Sequence, residues 1–311
     1  ILMIASVFKK STPLNYALVV FLVLFFFFIY QFQDLSWISS VVGLLKKGLT
    51  FIVVLASIFL TSFIGKRNGL TKDSGYTAVF YLLFSLFFPS IFNNLNILLA
   101  NFFILLALRR LISLQSMKAS KEKIFDASLW IFVASLFHFW CILFLILVFI
   151  SIIFHVSRDY TNWVLPFVAF IAVAIFFTFF TSFFGINTIE YLQKSTQINL
   201  AIDYFTNPTQ NLAFSIYVSV ALFFVFSMFI TLSHRLSMTQ TSYKKIVASF
   251  FIGVLVFVLS ANKSSDFLLL TTAPLAILAS AHIEYSQTKF KQEIVFVAVL
   301  LSSLFLFVSQ L

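Results

Sequence analysis

The sequence predicts an all-α polytopic membrane protein, and three of its properties carry that prediction. Of the 311 residues, 61% are hydrophobic and 46 are Phe, whereas only 20 are Lys or Arg and 10 are Asp or Glu. The mean hydropathy is +1.07, whereas only about 45–50% of residues are apolar in an average soluble protein. The apolar runs far exceed the roughly ten residues of a barrel strand, which predicts membrane-crossing helices.

Ten apolar stretches are long enough, or nearly long enough, to cross a membrane. They cover residues 13–32, 49–65, 74–92, 95–112, 125–154, 163–184, 211–232, 246–261, 267–283 and 293–310. The stretch 125–154 would form a helix about 45 Å long, which is too long for one perpendicular crossing. We expect a hairpin of two short helices there, with its turn near 135–138. The whole chain, 1–311, then forms one membrane domain of about 10–11 helices.

The distribution of basic residues favours this hairpin. With a hairpin and a cytoplasmic N-terminus, sixteen of the twenty Lys and Arg residues fall on the cytoplasmic side, as the positive-inside rule requires. With a single crossing, only twelve of them do. The counts therefore predict the hairpin with a cytoplasmic N-terminus. Basic residues scattered in short clusters between spans orient helices, so the positive net charge does not indicate a nucleic-acid partner.

Two outer segments are longer than simple connections. In the first, Leu35, Ile38, Val41 and Leu45 recur at helical spacing, which predicts an interfacial helix over 35–47. The second segment mixes apolar and polar residues and predicts another surface helix or a lid over 188–205. The sequence contains no nucleotide-binding, zinc or hydrolase motif and a single Cys, so we expect no metal and no cofactor.

Candidate catalytic residues lie on the outer face. Asp34 directly follows the first span, where a carboxylate could act as general base on a substrate hydroxyl; alternatively, it is solvated or caps the next helix. His138 lies within an apolar stretch, where a polar side chain indicates a functional site. The alternative is an imidazole that marks a helix turn and bonds to a backbone carbonyl.

The outer cations are candidate phosphate contacts. Lys46, Lys47 and Lys263 remain on the outer side against the positive-inside trend, and Asp266 closes the short polar loop that contains Lys263. These residues could hold a lipid-linked phosphate and its substrate. The lysines could equally reach towards lipid headgroups without a specific ligand.

Three stretches carry a resemblance to a known family. SVFKKSTPLNY at 6–16, NILLANFF at 96–103 and KIFDASLW at 123–130 resemble a family of polytopic inner-membrane proteins from Bacteroidota. That resemblance covers nearly the whole chain and implies a location but no activity.

A shorter resemblance is to membrane glycosyltransferases and polysaccharide polymerases that use polyprenyl-phosphate sugars. Asp34 followed by the predicted helix at 36–47 is similar to the acidic residue and juxtamembrane helix of the first group. The run from Ala134 to His138 is similar to an element of the second group. The chain departs from both groups because it has no paired acidic motif after the first span, no Arg-rich outer loop and no large extracytoplasmic domain.

The resemblance implies a glycosyltransferase-like protein that acts at the periplasmic face on a lipid-linked sugar. Asp34 would be the base, His138 a substrate contact, and membrane lipid or a polyprenyl-phosphate sugar the partner. The alternative is a non-catalytic assembly subunit that buries its aromatic faces against partner membrane proteins. A transporter is the third possibility, which a mid-membrane cavity lined by His138 would favour.

Overall fold

Thirteen α-helices occupy the described part of the chain, which in this computed structural model comprises residues 4–185, 187–200, 207–261, 263–286 and 288–311. They are α1 (Ile4–Val7), α2 (Pro13–Gln31), α3 (Val41–Arg67), α4 (Tyr76–Ser85), α5 (Leu95–Ile112), α6 (Ser120–Phe137), α7 (Leu145–His155), α8 (Thr161–Phe183), α9 (Thr188–Ser195), α10 (Pro208–Leu232), α11 (Ser237–Leu259), α12 (Leu269–Tyr285) and α13 (Lys289–Ser309). Short 3₁₀ helices cover Ser36–Ser39, Pro89–Asn93, Ser113–Ser116, Phe139–Phe144 and Ser265–Leu268. The all-α prediction is confirmed.

Eight of the described helices are long and apolar enough to cross a membrane: α2, α3, α5, α8, α10, α11, α12 and α13. The remaining apolar crossings are shorter. The predicted span at 74–92 contains only the ten-residue α4 and a 3₁₀ helix. Every residue of α4 is buried, so this short helix is enclosed by other helices and does not need the full thickness of the lipid.

Local signals explain where several helices begin. The Thr12 side chain accepts a hydrogen bond from the Asn15 backbone N–H, and Pro13 occupies the first turn of α2. Asn94 caps α5 in the same way. Asn207 caps α10, whose first residue is Pro208. These side chains satisfy backbone N–H groups that have no partner inside the helix.

The centre of the bundle is formed by α4 and α12. Of the apolar stretch that includes α12, 89% is buried inside the protein, whereas only 17% of the apolar stretch of α8 is buried. The helices α3, α5 and α11 contact α12 and are half or more buried. The Phe-rich surfaces of α2, α8, α10 and α13 face outward, as expected when lipid is the solvent.

The segment 125–154 forms the predicted hairpin. Helix α6 starts where Lys121 pairs with Asp159 at 3.1 Å, and it ends at His138, which has an extended backbone (φ −147°, ψ 107°). The chain then returns through the 3₁₀ helix at 139–144 and α7, so that α7 ends beside the start of α6. The hairpin prediction is confirmed, and its turn lies at the predicted place.

Because the helices alternate in direction, the loops gather at two ends of the bundle. The basic end carries the segments 4–12, 68–75, 113–119, 156–160 and 233–236, which are linked by contacts such as Gly75 N–H to Phe8 O at 2.8 Å. The distal end carries 32–40, 86–94, 187–200 and 260–268 apart from residue 262. Contacts from Gln31 to Phe92 O and from Gln310 to Phe87 O join segments there.

The outer segments differ in detail from the predicted surface helices. Within 35–47 the chain makes a 3₁₀ turn over Ser36–Ser39, and from Val41 it is already part of the 27-residue α3. The apolar periodicity therefore belongs to the first turns of a membrane span. The helix predicted over 188–205 covers Thr188–Ser195; residues 201–205 lie outside the described part of the chain.

Candidate functional site at the distal end

Lys47 is the outer lysine that the structure ties most directly to other polar groups. Its ammonium donates to Asn93 Oδ1 at 2.5 Å. The same oxygen accepts a hydrogen bond from Gln31 Nε2 at 3.2 Å, and Gln31 is buried. Asn93 ends the 3₁₀ helix that follows Phe88, so three separate segments meet at one amide oxygen. The neighbouring Lys46 is exposed.

Asp266 forms a second polar group beside the first. Its carboxylate accepts hydrogen bonds from the Ser90 hydroxyl and, at 3.1 Å, from Asn94 Nδ2. Only 7% of Asp266 is exposed. The Ser264 hydroxyl caps the 3₁₀ helix that carries Asp266 by accepting from its backbone N–H. Because Asn93 and Asn94 are neighbours, the groups around Lys47 and Asp266 are contiguous.

His138 borders the same region on its other side. Its Nε2 lies 3.0 Å from the Ser260 hydroxyl, and its ring lies 4.4 Å from that of Phe267. The Ser260 hydroxyl donates to Val256 O at 2.7 Å. A hydroxyl has one hydrogen to donate, so when that hydrogen goes to Val256 O, a neutral imidazole donates from Nε2 to Ser260 and keeps Nδ1 as its acceptor nitrogen. Phe267 follows Asp266 directly, which connects His138 to the acidic group.

Asp34 lies at the exposed edge of this region. Its Oδ1 accepts a hydrogen bond from the Ser36 backbone N–H at 2.9 Å, as in a helix cap. That bond lowers the pKa of the Asp34 carboxyl, and the nearby Lys47 ammonium lowers it further. A carboxylate with a lowered pKa is a weaker base than an ordinary Asp.

The predicted site residues therefore lie along one end of the bundle. We use the name distal strip for Asp34, Lys47, Asn93, Asn94, Asp266 and His138. Lys263 lies in the loop between α11 and Asp266, on the same end and half-buried. Lys46 shares the end but not the hydrogen-bonded network. Asn93, Asn94 and Ser90 join the predicted residues only through tertiary contacts, because they lie far from them in sequence.

A cavity of about 300 Å³ opens beside Asp266. Its wall includes Ser90, the residue that donates to the Asp266 carboxylate. Hydroxyl and amide side chains dominate the lining, which comprises Tyr30, Pro89, Ser90, Asn207, Thr209, Gln210, Ser309, Gln310 and Leu311. None of these residues has a charged side chain. Such a wall offers donors and acceptors to a neutral ligand that is rich in hydroxyl groups.

A second, apolar cavity of about 480 Å³ lies next to the hairpin turn. It is bounded by Leu136 and Phe137 of α6, by Phe176 and Phe180 of α8, and by Tyr191 of α9. The Tyr191 hydroxyl donates to Leu136 O at 3.0 Å, which holds α9 over the turn. Since Phe137 precedes His138, this groove reaches the distal strip. Its lining suits a hydrocarbon chain.

The structure also buries a cation that the sequence pattern placed in a loop. The predicted span began at residue 246, but α11 begins at Ser237 and contains Lys245. Lys245 is 0% exposed, and its ammonium donates to Leu111 O at 2.6 Å and lies 3.1 Å from His155 Nε2. No local sequence signal distinguishes the buried Lys245, because the adjacent Lys244 has the same side chain and is exposed.

No cluster of three or more His, Cys, Asp or Glu side chains suited to a metal ion occurs among the described residues. Comparison with curated proteins and with solved structures gives no match. A family profile, in contrast, matches residues 6–311, nearly the whole chain. The polytopic helical bundle with its distal strip thus belongs to a family of unknown function, DUF6427.

Proposed function

We propose that this protein is a membrane glycosyltransferase-like enzyme that acts on a lipid-linked sugar at its distal end. The observation that carries the proposal is the uncharged, hydroxyl- and amide-lined cavity next to the buried Asp266. Such a lining suits a sugar, and the aromatic ring of Tyr30 adds a face on which a sugar ring packs. The Phe-lined groove at the hairpin turn offers space for the lipid chain.

The charge distribution supports the orientation of this site. The basic end carries sixteen of the twenty Lys and Arg residues, and the positive-inside rule assigns such an end to the cytoplasm. The N-terminus is then cytoplasmic and the distal end faces the periplasm of a bacterial inner membrane. A substrate at the distal end would therefore have to be a lipid carrier that reaches the outer leaflet.

His138 is the better candidate for the general base. In the tautomer that donates from Nε2 to Ser260, its Nδ1 is the acceptor nitrogen, whereas the Asp34 carboxylate is bound by Ser36 and has a lowered pKa. In the proposed step, the acceptor hydroxyl loses its proton to His138 Nδ1 and its oxygen bonds to the anomeric carbon. The bond from that carbon to the phosphate oxygen breaks, and the phosphate leaves with the electron pair. We assign Lys47 and Lys263, two cations close in the chain to this network, to the leaving phosphate.

The remaining residues hold the site in place. Asp266 accepts from Ser90 and Asn94 and so fixes one wall of the cavity. Asp34 lowers the local positive potential around Lys47 and caps the turn at Ser36. We therefore assign Asp266 to substrate positioning, while Asp34 supports the arrangement of Lys47.

The test uses the purified full chain in neutral detergent with polyprenyl-phosphate glucose as the probe. Native mass spectrometry reports binding, and release of polyprenyl phosphate reports transfer to water or to an added sugar. We expect Ser90→Ala to weaken binding, and His138→Gln to bind the probe but lose turnover. Ser113→Ala, a serine at the basic end that donates to Arg110 O, is the matched control. If the native protein does not bind the probe, the proposal fails.

A non-catalytic assembly subunit is the second candidate, and α8 is the feature that favours it. This 23-residue helix is only 17% buried and packs mainly on α6, which leaves a long Phe-rich face for a partner helix. Purification in mild detergent separates the two proposals. A stoichiometric membrane partner that is lost with Phe176→Ala and Phe179→Ala would support the subunit, whereas a free-standing protein that binds the probe would support the enzyme.

A further inference from the structure

A cavity of about 400 Å³ opens at the basic end, remote from the distal strip. Three chain segments form it: the loop that follows α3, the loop between α10 and α11 together with the first turns of α11, and the end of α12. Its lining includes three side chains that carry or can accept a positive charge, namely Lys72, His234 and Arg235. Thr239 and Tyr285 add hydroxyl groups to the same wall.

Arg235 is held in a fixed position at this cavity. Its guanidinium lies 4.5 Å from the centre of the Tyr285 ring and 5.3 Å from that of Tyr243. Its Nη2 donates to Ala281 O at 3.1 Å, which is the one hydrogen bond of the guanidinium within the described part of the chain. Contact with two aromatic rings restricts the position of the group. The Nε–H is buried without a partner among the residues that the structure describes, so the N–H groups of Nη1 and Nη2 are the donors that a ligand would engage.

No carboxylate neutralises Arg235 by an ion pair among the described residues. Glu284 lines the same cavity and attracts both Lys72 and Arg235 electrostatically, while its two oxygens accept hydrogen bonds from other groups. One oxygen accepts from the Lys72 backbone N–H at 2.7 Å and the other from the Ser74 hydroxyl at 2.5 Å. The Lys72 ammonium itself is exposed. The cavity therefore combines two cations with one carboxylate and keeps a net positive charge.

An adjoining groove of about 460 Å³ shares Tyr285 as a wall. It runs between α10 and α13, where Phe223, Ile294 and Val295 line it. The Ser227 hydroxyl and His282 Nδ1 satisfy each other at 2.5 Å within this groove. Most of the groove surface is apolar, which suits a hydrocarbon chain, and Lys291 adds a further cation to the lining.

We infer that the cavity at Arg235 and Lys72 binds a phosphate group, and that the groove beside Tyr285 accepts the chain of a lipid that carries it. A planar guanidinium fixed by two rings presents its N–H donors to phosphate oxygens with little loss of side-chain freedom. The exposed Lys72 adds a second cation from another segment. Since the basic end is rich in cations, it is also the end that anionic headgroups approach.

The test is native mass spectrometry of the full chain in neutral detergent with three probes. Dioctanoyl phosphatidic acid carries both phosphate and chains, dioctanoylglycerol carries the chains alone, and glycerol 3-phosphate carries the phosphate alone. We expect phosphatidic acid to bind and dioctanoylglycerol to bind much more weakly. Binding of glycerol 3-phosphate as tightly as phosphatidic acid would identify a soluble phosphate compound as the ligand, whereas a requirement for the chains would identify a lipid.

Two variants assign the binding to this cavity. Arg235→Gln should weaken the binding of phosphatidic acid about tenfold, which is equivalent to about 1.4 kcal/mol. Lys72→Gln should weaken the binding of phosphatidic acid about threefold, since an exposed cation contributes less. This variant keeps the hydrogen bond from the residue 72 backbone N–H to Glu284, so it tests the site even if Arg235→Gln unfolds. Arg109→Gln is the matched control, because Arg109 also stacks on an aromatic ring, that of Phe63. The inference is wrong if phosphatidic acid binds no more tightly than dioctanoylglycerol. It is also wrong if Lys72→Gln and Arg109→Gln bind phosphatidic acid with equal affinity.

Discussion

Lys245 is the residue whose environment differs most from its sequence context. Adjacent Lys244 is exposed, but Lys245 is enclosed and its ammonium donates to Leu111 O, near the end of α5. The last carbonyl groups of a helix have no partner inside the helix, and a buried cation satisfies one of them here. Its second neighbour, His155, is the last residue of α7. One side chain therefore joins α5, α7 and α11.

This arrangement gives a prediction for stability. Lys245→Met fills similar space but leaves Leu111 O and His155 without their partner, which should cost about 1–3 kcal/mol of the free energy of unfolding. Lys244→Met, on the exposed neighbouring position, should change it by less than about 0.5 kcal/mol. Denaturant titration in detergent measures both. Equal stability of the two variants would contradict the structural role of Lys245.

Asp73 at the basic end predicts a pH dependence. The Lys66 ammonium lies 3.1 Å from its carboxylate, and this hydrogen bond lowers the pKa of Asp73 below its ordinary value. A lowered folded-state pKa contributes stability that is complete above the ordinary Asp pKa of about 4 and is lost as the pH falls through the folded value. Asp73→Asn should therefore have a lower melting temperature than the native protein at pH 7, and the difference should shrink as the pH falls below the ordinary Asp pKa of about 4. A difference that persisted at low pH would exclude this ion pair as its source.

At the scale of helices, the contact between α11 and α12 depends on one glycine. A Cβ atom at Gly253 would lie 2.8 Å from Thr271 Cγ2 and 3.2 Å from the backbone of Leu270. Such distances force the two helices apart. Gly48 near the start of α3 is the opposite case, because no described atom lies within 4 Å of a Cβ there.

The two glycines therefore predict opposite effects of the same substitution. Gly253→Ala should destabilise the protein by about 1–3 kcal/mol because it overpacks the interface between α11 and α12. Gly48→Ala should stabilise α3 by roughly 0.5–1 kcal/mol through helix propensity. Thermal unfolding of both variants in the same detergent provides the comparison. A stabilising Gly253→Ala would show that α11 and α12 are less closely packed than described.

At the scale of the whole molecule, the hairpin of α6 and α7 decides the topology of everything that follows it. The two ends of the hairpin lie together, since Lys121 pairs with Asp159, and its turn at His138 lies among distal-end residues. A single crossing would invert the five long helices that follow. It would also separate Lys118 from Arg158 by the thickness of the membrane.

Cysteine labelling in intact cells tests this topology. In a Cys141→Ala background, Lys118→Cys and Arg158→Cys should both be protected from a membrane-impermeant maleimide, whereas Asn96→Cys at the distal end should be labelled. All three positions are exposed in the protein. Labelling of only one of positions 118 and 158 would contradict the hairpin. Labelling of both positions 118 and 158 from outside would show that the protein lies in the membrane in the opposite orientation.

The sequence by itself determined the helical membrane fold, because hydrophobic run length and composition follow directly from the thickness and polarity of the bilayer. It also located the hairpin, since a hairpin puts sixteen of the twenty cations on one side of the membrane and a single crossing only twelve. His138 was identifiable because a polar residue within an apolar stretch needs a partner. Asp34 was found by position alone, and the structure shows it bound by the neighbouring Ser36.

Only the tertiary structure decided which polar residues share a site. Ser90 and Asn94 lie more than 170 residues before Asp266 in the chain, and no periodicity relates them to it. The same holds for Lys72 and Arg235, which line one cavity from different loops. Helix packing brings these groups together because it depends on side-chain shape over the whole bundle. Local sequence patterns specify which residues face lipid or form helices, but not which helices become neighbours.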